Sequence, residues 1–212
     1  HGARIEYQAR KEGIKPKELV KRVHKKIKSL IKDYNIDFTN YSWTEGYIHQ
    51  EFVKNFYQRV QDNGFILTKI ESKPYCNKCE SFLADRFITG DCPHCGASEA
   101  KGNQCDECGR LLEPEELKNP VCAMCGESEI EIKDTKHWYL NLKKLQKPIK
   151  EYADNHPEWN ELTKEYTYRW LKEGLKPRPV TRDIKWGIPA PFKDSEGKSI
   201  YVWAEAVLGY LS

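Results

Sequence analysis

Between Pro16 and Tyr34, apolar residues at Leu19, Val20, Val23, Ile27, Leu30, Ile31 and Tyr34 recur on one helix face, and lysines fill the other. Pro16 suits a first-turn position, where its missing N–H costs nothing. The pattern predicts an amphipathic helix with a basic, solvated face. A second helix is predicted from near Thr44 through Ile48, Phe52, Phe56 and Val60, spaced by four and stopped at Asn63-Gly64. Phe65 to Glu71, rich in β-branched and aromatic residues, reads as a strand. Glu129 to Ile132 and His137 to Leu142 read as extended, with Trp138, Leu140 and Leu142 alternating. The chain turns helical again from Leu142 to Gly174: Pro157 marks a helix start, and Leu162, Tyr166 and Trp170 are spaced by four. A proline-punctuated stretch, Leu175 to Pro191, and a turn at Asp194 to Gly197 lead to a strand from Ser199 to Trp203. Strands therefore bracket the middle of the chain, as expected for an insertion mounted on a sheet with its two stems together.

That middle contains all eight cysteines, in four Cys-x-x-Cys pairs: Cys76 and Cys79, Cys92 and Cys95, Cys105 and Cys108, Cys122 and Cys125. Two thiolates so spaced can ligate one ion from a single tight turn, and two such turns complete a tetrahedral shell of four sulfurs. Gly96, Gly109 and Gly126 follow the second cysteine where a knuckle needs positive φ, and Glu80 breaks the pattern. Disulfides and a thioredoxin-like redox pair compete with this reading. Disulfide density, however, belongs to short secreted domains, and a redox pair normally occurs once. Two metal sites are expected, with zinc favoured as the commoner structural ion. Spacing leaves the pairing open. Sequential pairing spans 12 and 13 residues, whereas nested pairing spans 9 for the inner pairs and closes the outer pairs around them.

At 212 residues, 39% hydrophobic and 32% charged, the chain can form one substantial core or a domain with an insertion. No apolar run reaches membrane-spanning length, and a soluble, cytoplasmic protein is expected. The net charge of +3 is unevenly placed. Ten Lys or Arg lie between Arg10 and Lys32 against Glu12 and Glu18, while nine Asp or Glu face five Lys or Arg between Cys76 and Cys125. Each four-thiolate zinc site would add about two negative charges. So acidic a lobe is a poor nonspecific phosphate clamp, and its metal is expected to shape it rather than grip nucleic acid. The start at His1-Gly2 and the end just after an apolar run are read as cuts through a larger protein.

Five segments carry a resemblance. They are Cys76-Asn-Lys-Cys-Glu-Ser-Phe-Leu-Ala-Asp-Arg-Phe87, Gly90-Asp-Cys-Pro-His-Cys-Gly96, Gly102-Asn-Gln-Cys-Asp-Glu-Cys-Gly109, Thr181-Arg-Asp-Ile-Lys-Trp-Gly-Ile-Pro189 and Tyr201-Val-Trp-Ala-Glu-Ala-Val-Leu-Gly-Tyr210. In this order, and with His1-Gly2 ahead of them, they resemble the methionyl-tRNA synthetases. The resemblance implies an α/β fold: part of a Rossmann-like class I catalytic domain with an inserted zinc-knuckle connective peptide. Residues 1–70 would finish the first Rossmann half, 71–142 would be the connective peptide, and 143–212 would be a helical return and the start of the second half. It implies ATP-dependent activation of methionine and transfer to methionine tRNA, with magnesium accompanying the ATP. It also implies nested pairing: Cys92, Cys95, Cys105 and Cys108 on one zinc, and Cys76, Cys79, Cys122 and Cys125 on the other.

His-x-Gly-His does not occur in these residues, and the only methionine is Met124, so Lys-Met-Ser-Lys-Ser is absent too. The fragment alone is therefore expected to be inactive. Trp203, Ala206, Val207 and Tyr210 are spaced so that one helix puts them on one face. Periodicity reads this stripe as ordinary core. The resemblance makes it part of a methionine pocket, whose aromatic walls suit a thioether. Arg182 would organise the active site through ionic contacts, against the plainer reading of a structural ion pair. The usual Trp-x-Asp-Ala-Pro-x-Gly-Tyr pattern is altered here to Glu205 and Val207. Three rivals remain: a nucleic-acid-binding zinc ribbon, a chaperone cysteine-rich module and a synthetase for a branched aliphatic amino acid. The acid-crowded knuckles disfavour the first, the missing Cys-x-x-Cys-x-Gly-x-Gly repeats the second, and the paired Trp203 and Tyr210 the third.

Overall fold

The computed structural model describes residues 1–83 and 85–212; Ala84, one residue of the Cys76 to Phe87 segment, lies outside them. Three helices come first: α1 (Ala3–Lys11), α2 (Pro16–Asp33) and α3 (Tyr47–Asp62). The apolar pattern did not announce α1, which has few apolar residues and buries only Ala9 and Glu6. An ion pair from Arg10 to Glu6 at 2.6 Å, one turn apart, supports it. Pro16 occupies the first turn of α2 as predicted, yet only Leu19 of its apolar stripe is buried, while Val23, Ile27 and Leu30 stay exposed.

In α3 the buried line is His49, Val53 and Tyr57, one residue round from the predicted line. Phe52 and Phe56 flank it, and Ile48 faces outward. Tyr57 can turn inward because its hydroxyl donates to the Ala204 carbonyl at 2.7 Å. Asn63 and Gly64 end the helix as expected, with the Phe65 N–H returning to the Val60 carbonyl.

The predicted flanking strands are longer than their patterns. β1 (Ile66–Cys76) pairs antiparallel with a later strand, Ile130–Leu140, along its whole length, from Ile66 opposite Leu140 to Cys76 opposite Ile130. This ribbon is the stem of the cysteine lobe. Inside the lobe lie β2 (Ser81–Phe82), β3 (Ile88–Asp91), β4 (Ala100–Lys101) and β5 (Lys118–Cys122); the returning strand is β6. β3 forms the centre of a three-stranded sheet, and the approach there is tight. A Cβ on Gly90 would stand 2.5 Å from the Lys118 carbonyl oxygen.

After β6 come α4 (Leu142–Asp154), α5 (Glu161–Glu173), β7 (Arg178–Pro179), β8 (Thr181–Arg182), β9 (Ser199–Ile200) and α6 (Val202–Ala206), followed by a 3₁₀ turn, Val207–Tyr210. Pro157 does not start α5. Asn160 caps it, accepting from the Thr163 N–H at 2.8 Å. The stripe of Leu162, Tyr166 and Trp170 remains exposed, and Leu171 is the residue that α5 buries. Every strand pair among the described residues is antiparallel.

Two cores result. Val53, Tyr57, Trp138, Val180, Ile188, Phe192, Ile200 and Leu208 form the main one, where the Trp138 and Phe192 rings stack at 5.5 Å. The lobe has its own, built on Leu83, Phe87, Ile88, Leu112, Leu117 and four buried cysteines. It is not isolated: Ile184 is buried in it, and Ala3, Tyr7 and Trp186 pack against it. No helix among the described residues is long and apolar enough to cross a membrane.

Candidate metal centres and the cleft beside them

The eight cysteines gather in two groups of four, Cys76, Cys79, Cys122 and Cys125, and Cys92, Cys95, Cys105 and Cys108. β1 and β5 each end on a buried cysteine, Cys76 and Cys122, and the turn that follows swings its partner to the same point. Gly96, Gly109 and Gly126 adopt φ of 75°, 71° and 75° in their knuckles. Glu80 takes the equivalent left-handed conformation at φ 47° despite its Cβ.

All eight are free thiols. The nearest sulfurs lie 3.6 Å apart for Cys76 and Cys125, 3.8 Å for Cys79 and Cys122, 3.9 Å for Cys92 and Cys108 and 3.7 Å for Cys95 and Cys105. With a Zn–S bond of about 2.3 Å, the edge of a regular tetrahedron of sulfurs is about 3.8 Å. The spacing therefore fits a four-thiolate ion and is far too long for disulfides.

The thiols oppose one another electrically. Burial pushes the Cys92 and Cys125 pKa values up, but backbone N–H donors together with hydrogen bonds from neighbouring thiols outweigh it, and both fall to about 7. The Cys95 thiol, despite a backbone donor at Ala97, is pushed up to about 12 by burial and by its three sulfur neighbours. Burial and the neighbouring sulfurs raise Cys79 as well. Four thiolates cannot share so small a volume without a cation, and a divalent ion removes that conflict.

Beside the lobe is a cleft of about 380 Å³ lined by His1, Arg4, Arg86, Arg182, Tyr201 and Trp203, among others. Arg182 reaches it with its guanidinium 4.1 Å above the Tyr201 ring and its Nη1 donating to the Thr181 carbonyl at 3.1 Å. Among the described residues its partners are thus a ring and a carbonyl rather than a carboxylate. Trp203 lines the cleft with 69% of its surface exposed. The other three residues of that stripe do not join it there. α6 gives way after Ala206 to a 3₁₀ turn, whose tighter winding carries Tyr210 about 80° further round than a continuous α-helix would. Val207 and Tyr210 are exposed, Tyr210 by 92%.

A larger cleft of about 510 Å³ lies between the ribbon, the lobe and β7 to β8. At its edge Asp183 accepts from Thr135 Oγ1, contacts His137 Nε2 at 2.9 Å and pairs with Lys198. Burial raises the Asp183 pKa, but His137 and Lys198 outweigh it and hold it below the usual carboxylate range. Asp183 stood in a recognisable motif. His137, Thr135 and Lys198 carried no signal, since the ribbon and the return from the turn at Ser195 bring them together.

The family model described as "tRNA synthetases class I (M)" matches residues 1–212. Among curated relatives, the methionine–tRNA ligases of Aeropyrum pernix, Pyrobaculum islandicum and Ignicoccus hospitalis are 49%, 50% and 50% identical over all 212 residues. The chain spans about 37% of the length of each. Among solved structures, Mycobacterium tuberculosis methionyl-tRNA synthetase in complex with methionyl-adenylate shares the fold, with TM-score 0.69 and 17% identity over the whole chain and 36% of that protein. Its apo form gives 0.55 over 92% of the chain and 34% of that protein. Neither a free-standing zinc ribbon nor a chaperone module accounts for a match that runs from end to end. With its two cysteine tetrads, its ribbon-mounted lobe and a family match over every residue, the chain belongs to the tRNA synthetases class I (M).

Proposed function

We propose that the chain is the central part of a methionine–tRNA ligase, which in its full length activates methionine with ATP and attaches it to methionine tRNA. The observation that carries this is the 49–50% identity to named methionine–tRNA ligases over all 212 residues. On this reading residues 1–70 complete the first Rossmann half, 71–142 form the connective peptide and 143–212 begin the second half. The tetrads hold one zinc each and keep the lobe folded. ATP arrives with magnesium, handled outside these residues. Arg182, stacked on Tyr201, offers its remaining N–H donors to the anionic adenylate in the cleft. Trp203 supplies an apolar ring for the methionine thioether. Ala206, Val207 and Tyr210 complete that wall once a substrate or a further segment closes over it.

The test is methionine-dependent exchange of pyrophosphate into ATP by the full-length protein. Exchange with methionine, and not with leucine or isoleucine, supports the reading; its absence rejects it. Trp203→Ala is expected to raise the methionine KM tenfold or so, the order expected for losing a sulfur–ring contact with its apolar burial, while zinc content stays the same. Normal methionine kinetics in that variant would remove Trp203 from the site.

A further inference from the structure

Glu205 is fully buried near the C-terminal end of α6, two residues from Trp203. Its Oε1 lies 2.6 Å from His1 Nδ1, and His1 Nε2 lies 2.9 Å from Glu45 Oε2. Lys17 Nζ holds the other Glu45 oxygen from outside at 2.7 Å. Both ring nitrogens of His1 therefore face carboxylate oxygens, which accept hydrogen bonds and, when ionised, donate none. A neutral imidazole has one N–H, so satisfying both contacts calls for the imidazolium. Two carboxylates, one imidazolium and one lysine close to zero net charge, the condition under which buried ions persist.

The surroundings are specific. The Trp186 and His1 rings meet edge to face with 5.1 Å between centroids. From α3, His49 Nε2 lies 3.9 Å from Glu205 Oε2, and both atoms are buried without a hydrogen bond among the described residues. Ser212 Oγ holds His49 Nδ1 at 2.8 Å, and Tyr57, also on α3, bonds to the carbonyl of Ala204 beside Glu205. The first residue, the Glu45 turn and α3 thus converge on one carboxylate. About 200° round the same helix, the indole of Trp203 stands in the cleft.

We propose that Glu205 is a positioning residue: its clasp with His1 and Glu45 fixes the rotation of α6 and so sets the pose of the Trp203 ring. This rests on the methionine-activation reading and extends it, since Glu205 lies in the core and acts through α6. Burial pulls the His1 pKa down, but Glu205 and Glu45 outweigh it and hold it above 6.5. The clasp is therefore intact below that range and lost as pH rises through the raised value. Burial and the nearby His1 charge lower the His49 pKa, against the pull of Glu205.

The experiment is pyrophosphate exchange by the full-length enzyme between about pH 6 and 9, with KM for methionine and for ATP measured separately. With the clasp in place, the methionine KM is expected to rise about tenfold with pH while the ATP KM stays flat. Glu205→Gln, which cannot balance the imidazolium, should start with the raised methionine KM and show no pH dependence. Glu205→Asp keeps the charge one methylene short and should fall between. Methionine and ATP KM values that move together, or a Glu205→Gln enzyme with the wild-type methionine profile, would overturn the proposal. If Glu205→Gln does not fold, the wild-type profile alone decides. A wild-type enzyme with no methionine-dependent exchange at any pH instead overturns the activation reading, and this proposal with it.

Discussion

Gly90 illustrates how little freedom single positions in the lobe have. Its absent side chain admits the β5 backbone, and a Cβ there would meet the Lys118 oxygen at 2.5 Å and the Leu117 Cβ at 3.1 Å. Gly90→Ala should therefore cost about 1–3 kcal/mol, the usual cost of overpacking, read as a lower melting temperature of the metal-loaded protein. An unchanged melting temperature would mean that β3 and β5 are not so close. Asp183 is a second such position. Its folded pKa is depressed, so its contribution is complete above the unfolded value, near 4, and is lost as pH falls through the folded value. Asp183→Asn should destabilise the protein at neutral pH by about 2–3 kcal/mol, because Lys198 loses its counter-ion and His137 a carboxylate contact. In urea titrations that difference should shrink below about pH 4; a constant difference would show that the carboxylate charge is not the cause.

Among the elements, the ribbon of β1 and β6 does most to explain the lobe. Its far end delivers Cys76 beside the strand that returns from Cys125, so the outer tetrad closes the base of the lobe, and the inner one lies wholly within the insertion. Metal analysis of the reduced protein should return two zinc ions per chain. Cys76→Ser and Cys125→Ser should each disturb the same ion and leave Cys92, Cys95, Cys105 and Cys108 protected from alkylation. Loss of protection at Cys92 or Cys95 in Cys76→Ser would instead favour sequential pairing. Local spacing made each knuckle legible, because a Cys-x-x-Cys turn carries its own geometry. It left open which knuckles meet, because that depends on the path of the strands between them. Helix patterns behaved likewise. The periodicity located α2 and α3, but in α3 the buried line is one residue round from the apolar one, since Tyr57 and His49 found polar partners inside.

Taken whole, the molecule is two cores joined through Ile184 and the α1 contacts, with the cleft of Arg182 and Trp203 at their junction. The phosphate-handling motifs named by the resemblance are absent from the 212 residues. Expressed alone, this chain is expected to bind two zinc ions and give no methionine-dependent pyrophosphate exchange; measurable exchange would mean that catalytic groups within it have gone unrecognised. The two groups of four cysteines and the bracketing strands could be anticipated from residue types and their spacing, and the family from its motifs, because each is a short-range pattern. The exposure of the α2 and α5 stripes, the turn that separates Tyr210 from Trp203, the Asp183 network and the clasp of His1, Glu45 and Glu205 could not. Periodicity reports that a face is apolar and not what covers it. A carboxylate two residues from a tryptophan likewise gains a partner more than 200 positions away only when the chain has folded back on itself.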